Sequence, residues 1–407
     1  MESPRPQLLI LADAPDAFVE LFGISMLERL LRVTQRLGFR EAVIVSKTPE
    51  EIAAHLEKPS WARAEISLSF RTREAGPVFL HNVVTGNERT LLVSAGFYFD
   101  ARLLKTLAEQ TTTTVLVDSA PPAASVPLWQ KEDIEFSGAV LVGPAEMPSG
   151  ATTEQTNQCD AAAEPTYVTA LRKHVRPVFF PAPTPELVSL AEKFPRDVAQ
   201  NGVLDFPGFF DSPIEDWIVK RVCRTLIRPN HVTLVTMLIG LAVTALFATG
   251  RLWWGVALAY VIEVLDGVDG KLARTKVETT AAGEWEHEVD YTIELSWWTA
   301  LAFHFRATGL TNAYWLLALY VVSDLVDRLA KRAVKKKVGR NLDDVSNFDR
   351  FVRCIGARRN INVWILIAAL ALGDPANGFI LICWWMAALA ITHVFRALQI
   401  GFSATGS

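Results

Sequence analysis

The chain has 407 residues, enough for two or three domains, with half its residues hydrophobic and a formal net charge of −4. No strongly basic balance points to nucleic acid, so no nucleic-acid partner is expected. Four scattered cysteines (Cys159, Cys223, Cys354, Cys383) form no CxxC pair, which argues against a zinc site or a disulfide framework.

The averages hide two unlike halves. Up to about Asp205 the pattern is that of a soluble α/β domain. Apolar strands are expected at Gln7–Ala12, Ala42–Val45, Leu91–Val93, Val115–Val117 and Ala139–Val142, with a last one at Val178–Phe180. Helices are expected at Met26–Leu37, Ala101–Gln110 and Pro185–Phe194, and a polar loop at Pro148–Glu164. Strands that alternate with helices predict a mainly parallel, Rossmann-like sheet covered on both faces. Met1–Pro6 has no charged segment followed by an apolar run, so no cleavable signal peptide is expected and this domain should stay in the cytoplasm.

From about Val232 onward long apolar runs recur, approaching the roughly 20 residues that cross a bilayer. Expected spans are Val232–Thr249, Leu252–Ala273, Glu286–Phe305, Asn312–Ala330, Ile361–Leu372 and Gly378–Gln399, an all-α polytopic domain of about six helices. Ile214–Ile227 mixes Trp217, Ile218, Val222 and Leu226 with Lys220, Arg221 and Arg224, as an interfacial amphipathic helix does. The division is 1–182 soluble domain, 183–229 linker and interfacial helix, and 230–407 membrane domain. Basic residues cluster before span one, after span two and between spans four and five, whereas the opposite connections carry only Arg251 and Arg306. The positive-inside rule then puts both ends in the cytoplasm of a multi-pass protein of the inner or plasma membrane.

Spans two and three carry ionisable groups that an apolar helix should lack. Each costs roughly 2.5–3.5 kcal/mol on insertion scales, and such groups mark function. Asp266 and Asp269 are three residues apart and Glu286 and Asp290 four apart, so each pair stacks on one helix face. A short loop joins the two spans, which should be antiparallel neighbours with four carboxylates facing one another near the cytoplasmic surface. A hard divalent cation, Mg²⁺ or Mn²⁺, relieves their repulsion when phosphate is also bound. Gly267 and Gly270 are expected to let a ligand approach the backbone. The bland alternative is that the carboxylates cap helices or pair with Lys271 and Arg274.

Asp266-x-x-Asp269-Gly270-x-x-Ala273-Arg274, followed by Gly283, resembles the first part of the CDP-alcohol phosphotransferase signature. The continuation Gly-x-x-x-Asp-x-x-x-Asp lands on His287 and Tyr291 at strict spacing. It fits Glu286 and Asp290 if one residue is deleted after Trp285. Arg228-Pro229-Asn230-His231-Val232-Thr233 resembles the segment that precedes the first span in this family. Phe348–Phe351 and Gly356–Asn360 resemble the segment before span five in relatives that handle inositol phosphates.

The resemblance implies metal-dependent transfer of a phospho-alcohol or phosphatidyl group from a CDP-alcohol to an alcohol or phospho-alcohol acceptor, with release of CMP. It implies two metal ions held by Asp266, Asp269, Glu286 and Asp290, with Asp290 as general base, and nucleotide contacts from Asn230, Thr233, Gly270, Ala273, Arg274 and Gly283. A homodimer in a lipid bilayer is expected. Arg350, Arg353, Arg358 and Arg359 are candidates for an acceptor-phosphate pocket, because guanidinium forks match phosphate oxygens. The alternative for them is positive-inside topology alone.

The soluble half resembles sugar-nucleotide cytidylyltransferases over Leu8–Ala12 and Phe22–Arg29. Its first loop, Asp13–Phe18, has neither glycine nor a basic residue, and Gly96 stands where a metal-binding Asp belongs. It is expected to be degenerate; the alternative is a bifunctional enzyme whose soluble domain makes the CDP-alcohol from CTP. A membrane transporter with an acidic site is the non-enzymatic rival.

Overall fold

The computed structural model describes residues 5–74, 88–129, 138–143, 157–278 and 282–403; the side chains of Trp61 and of residues 282–287 and 402–403 are not described. The first half is built on strands β1 (Gln7–Leu11), β2 (Glu41–Ser46), β3 (Ser67–Thr72), β4 (Thr90–Ser94), β5 (Thr114–Val117), β6 (Ala139–Val142) and β7 (Asn157–Asp160). They form one sheet in the order β7-β5-β6-β4-β1-β2-β3. Helices α1 (Met26–Arg36), α2 (Pro49–Leu56) and α3 (Ala101–Glu109) accompany it. Leu8–Leu11 are buried, as the central strand of a sheet covered on both faces requires.

The sheet is mainly parallel, as expected: β1 is parallel to β2 and β4, and β6 alone runs antiparallel, to both β4 and β5. Three finer expectations change here. Strand β7 falls inside the expected polar loop. It is an edge strand with one buried side chain, Cys159, so it carries no apolar pattern; residues 148–156 of that loop lie outside the described residues. Phe179–Pro181 pairs with Phe97–Phe99 in a separate two-stranded sheet rather than with the main one. The connecting helix also breaks, into Val188–Ala191 and α4 (Lys193–Ala199).

The second half is helical: α5 (Gly208–Val222), α6 (Pro229–Ala248), α7 (Leu252–Thr275), α8 (Ala282–Ala307), α9 (Ala313–Val338), α10 (Asn347–Ile355), α11 (Arg359–Ala371) and α12 (Pro375–Ser403). Each expected span has its helix. Pro229 at the first position starts α6, where its missing N–H costs nothing, and Gly339 at φ 72° ends α9. The amphipathic helix begins earlier than expected, at Gly208, and stops at Val222.

Among the described residues two helices are long and apolar enough to cross a membrane, Pro229–Ala248 and Pro375–Gly401; the pair α10 and α11, bent by 45° at its break, makes a third if read as one span. α7, α8 and α9 are as long but carry charged residues within the helix.

Helices α7 and α8 were expected to be direct neighbours. Instead both pack on α6, and α7 also packs on α5 and α11. Gly240 lets α8 come close: a Cβ there would lie 2.5 Å from Ile293, and the Trp297 indole donates to the Gly240 carbonyl at 2.9 Å. The two acidic helices are held by a third, which removes the need for their like-charged faces to touch.

Candidate active site

Asp266 and Asp269 lie on α7 one turn apart, as their spacing dictates. Asp266 is ion-paired with Arg359 at the first turn of α11 (2.8 Å), and Asp269, 7% exposed, accepts a hydrogen bond from the Thr233 hydroxyl of α6 (3.2 Å). Beyond that ion pair, Glu294, Asp290 and Glu263 act electrostatically on the Arg359 guanidinium. Carboxyl groups of α7 and α8 are thus coupled through an arginine from a third helix. Glu286 and Gly283 belong to α8, and their side-chain surroundings lie outside the described residues.

The bland pairing does not occur with Lys271. Its ammonium goes to Glu215 (2.9 Å) and Asp216 (2.6 Å) on α5. Burial pushes the Glu215 carboxyl upward, against the pull of Lys271. Arg274 is anchored by the Ala199 carbonyl (2.6 Å), with Asp269 and Glu215 as its electrostatic partners. Gly267 does not hold space for a ligand: a Cβ there would lie 2.1 Å from Glu215, so this glycine serves the close approach of α5. At Gly270 the nearest atoms to such a Cβ are the Arg274 guanidinium nitrogens, at 3.4 Å, which leaves the backbone accessible beside that cation. Ala273 sits in the last turn of the same helix, and Asn230 in the first turn of α6 with Thr233.

Among the described residues the four arginines have separate partners. Arg350 pairs with Asp344 (2.7 Å), Arg353 with Asp343 (2.6 Å) and Arg358 with Asp205 (3.2 Å), while Arg359 reaches Asp266 of the acidic stripe.

Sequence reasoning missed Glu263 and Glu294. Glu263 is 3% exposed, and neither of its carboxylate oxygens has a hydrogen-bond partner among the described residues. Glu294 accepts from the Trp298 indole and the Tyr320 hydroxyl, both at 3.4 Å. Each lies one helical turn beyond a residue already singled out, Glu263 before Asp266 and Glu294 after Asp290, so the same periodicity could have found them.

Among the described residues no three His, Cys, Asp or Glu side chains are placed to hold a metal ion together. The donor chemistry nevertheless fits: Asp266, Asp269 and Asp290 offer carboxylate oxygens only, the ligands that hard divalent cations take.

Residues 226–403 match the family model for CDP-alcohol phosphatidyltransferase. A stretch of 129 residues is 33% identical to the bifunctional IPC transferase and DIPP synthase of Aquifex aeolicus (strain VF5), covering 30% of this chain and 29% of that protein. The chain thus matches less than a third of the length of this curated relative. Similar solved structures are the Mycobacterium tuberculosis phosphatidylinositol phosphate synthase with CDP-DAG bound (TM-score 0.35, 17% identity, 47% of this chain and 94% of that one) and its apo form (0.36, 18%, 46% and 94%). HddC from Yersinia pseudotuberculosis also matches, with TM-score 0.30 and 13% identity over 46% of this chain and 99% of that one. All three are remote likenesses.

Proposed function

We propose that the chain transfers a phospho-alcohol group from a CDP-alcohol to the hydroxyl of an alcohol or phospho-alcohol acceptor and releases CMP. The observation that carries this reading is the Asp266–Arg359 ion pair (2.8 Å) inside the matched segment, with Asp290 of a second helix among the carboxylates that act electrostatically on the same guanidinium. The acceptor oxygen attacks the phosphorus that bears the donor alcohol, the P–O bond to CMP breaks, and the proton of the attacking hydroxyl must leave. Asp290 is the base assigned to that proton. Asp266, Asp269, Glu286 and Asp290 would hold divalent metal, Mg²⁺ or Mn²⁺ and two ions in this reading, which would neutralise charge on the pyrophosphate. Asn230, Thr233, Gly270, Ala273, Arg274 and Gly283 face the nucleotide. Arg274 places a cation beside the open backbone of Gly270, which suits a phosphate. Arg350, Arg353, Arg358 and Arg359 are assigned to the acceptor side, and a phosphate there has to compete with their present carboxylate partners. The resemblance of Phe348–Phe351 and Gly356–Asn360 to relatives that handle inositol phosphates favours an inositol-phosphate substrate.

Six spans are assigned to α6, α7, α8, α9, α11 and α12, with 1–182 as the soluble domain, 183–229 as linker and interfacial helix and 230–407 as the membrane domain. Support comes from large apolar side chains turned outward along these helices, among them Leu238, Trp254, Trp315, Leu372 and Ile391, while Glu263, Asp269 and Asp327 turn inward. The active site and the soluble domain lie on the cytoplasmic side, and the protein works as a homodimer.

The soluble domain is read as degenerate. In a doubly wound sheet ligands bind beyond the carboxyl ends of the strands, at the point where strand order reverses. Here that place lies between β1 and β4, where the loop after β1 meets the turn after β4. A Cβ on Gly96 would lie 3.2 Å from the Asp16 side chain, and Asp13 accepts from the Lys47 amide (2.8 Å) and the Arg73 guanidinium (3.1 Å). The test of the whole reading is CMP release by purified protein given a panel of CDP-alcohols and acceptors.

A further inference from the structure

We infer that the soluble domain is a two-point clamp on the membrane domain, in which Arg29 and Arg32 position the acidic helix α7 and Tyr167 and Arg172 position the arginine-bearing segment that follows α9.

The first point is the C-terminal end of α7. The last carbonyls of a helix have no partner within it, and they carry the negative end of the helix dipole. Here two arginines one turn apart on α1 meet that end. Arg29, buried, donates to the Thr275 carbonyl at 2.9 Å; Arg32 donates to the Lys276 carbonyl at 2.7 Å and pairs with Glu278 at 3.2 Å. Arg32 is itself held by Glu28 of the same helix (2.8 Å), which also binds Arg63 (2.6 Å). Apolar contacts cross the boundary both ways. Val277, just past α7, belongs to the core cluster of the soluble domain that also holds Leu27 and Leu31. Phe22 of the soluble domain lies among Val219, Val232, Val264 and Leu272 of the helical half, and its amide donates to Glu192 at 2.9 Å. Gly23, at φ 71°, permits this approach, because a Cβ there would sit 2.9 Å from the Arg224 backbone.

The second point is the Leu342–Asp344 turn between α9 and α10. The Tyr167 hydroxyl donates to Asp344, and Arg172 pairs with Asp343 at 3.3 Å. The same two carboxylates hold Arg350 and Arg353. Each aspartate is therefore shared between the soluble domain and one of the arginines that precede α11. The two points grip two different walls of the site, α7 with its carboxylates and the segment that leads into Arg359. A domain without nucleotide chemistry thereby acquires a mechanical role, because it fixes the distance between those walls.

The test uses the full chain in lipid nanodiscs and reads two quantities, amide hydrogen exchange over 268–278 and 342–353, and CMP release, which rests on the function proposed above. Arg32→Ala is expected to speed exchange in the last turn of α7 at least tenfold while β1 and β4 stay protected. Turnover per folded molecule should fall about 10- to 100-fold, as small misplacements of reacting groups do, with KM changed less than twofold. Arg32→Lys, which keeps a donor, should recover most of both. If Arg32→Ala does not fold, the peripheral pair Tyr167→Phe with Arg172→Ala makes the same test at 342–353. Wild-type exchange and turnover in a folded clamp variant overturn the inference. If wild-type protein releases no CMP from any donor, the proposed activity fails, but the exchange data still judge the clamp.

Discussion

Arg359 places its guanidinium 2.8 Å from the carboxylate of Asp266, so the first acidic residue of the motif is tied to the last of the four arginines expected to meet the acceptor. The pair spans α7 and α11 and lies where Asp290, Glu263 and Glu294 also act on the same cation.

That relationship gives a double-mutant prediction. Arg359→Gln and Asp266→Asn should each lower thermal stability, but the double variant should be less destabilised than their sum, with a coupling of about 1–3 kcal/mol. Unfolding midpoints in one detergent check it. Strict additivity would show that the two groups do not interact in the folded protein.

Acid should loosen the second clamp point. Burial opposes the charge of Asp343, yet Lys331, Arg353 and Arg358 outweigh it and hold its carboxyl below the ordinary 3.8. A carboxylate with a lowered folded pKa contributes stability that is complete above its unfolded value and is lost as pH falls below it. Stability should therefore drop below about pH 4, and Asp343→Asn should flatten that limb while costing stability at pH 7. Thermal unfolding across pH 2.5–7 reads both.

Much of this was legible in the sequence, for identifiable reasons. β1 and the carboxylate spacing of α7 follow from periodicities of two and 3.6, and every expected span became a helix. What stayed hidden depends on long-range partners. Nothing local announces that β6 runs antiparallel, that α7 and α8 both pack on α6, or that Gly267 makes room for Glu215 rather than for a ligand. Cys159 is the one buried side chain of β7, too little for a pattern. Glu263 and Glu294 were readable but lay one turn outside the motif. Arginine partners could not be read at all, since Arg358 meets Asp205 across 153 residues of chain.

Metal removal is the next check. Activity should disappear in excess chelator and return with Mg²⁺ or Mn²⁺, because the assigned ligands are all carboxylates. Undiminished turnover in chelator would leave those carboxylates without a metal role.

The full chain should release no pyrophosphate from CTP with a sugar or polyol phosphate, since the Asp13–Phe18 loop has neither glycine nor a basic residue to hold a triphosphate. Steady pyrophosphate release would reinstate the bifunctional reading.

The most direct measurement is CMP release at matched expression by wild type, Asp290→Asn and His287→Ala with CDP-alcohol donors and polyol-phosphate acceptors. Asp290→Asn keeps the size of the side chain and removes its charge. General base catalysis alone is worth about 10²–10⁴-fold, so this variant should lose at least that much. His287→Ala should be milder, because position 287 lies about 100° around the helix from position 286. Wild-type CMP release that matches the transferred product, nearly abolished by Asp290→Asn, is the predicted result. An active Asp290→Asn beside a dead His287→Ala, or no CMP from any donor, would contradict the account.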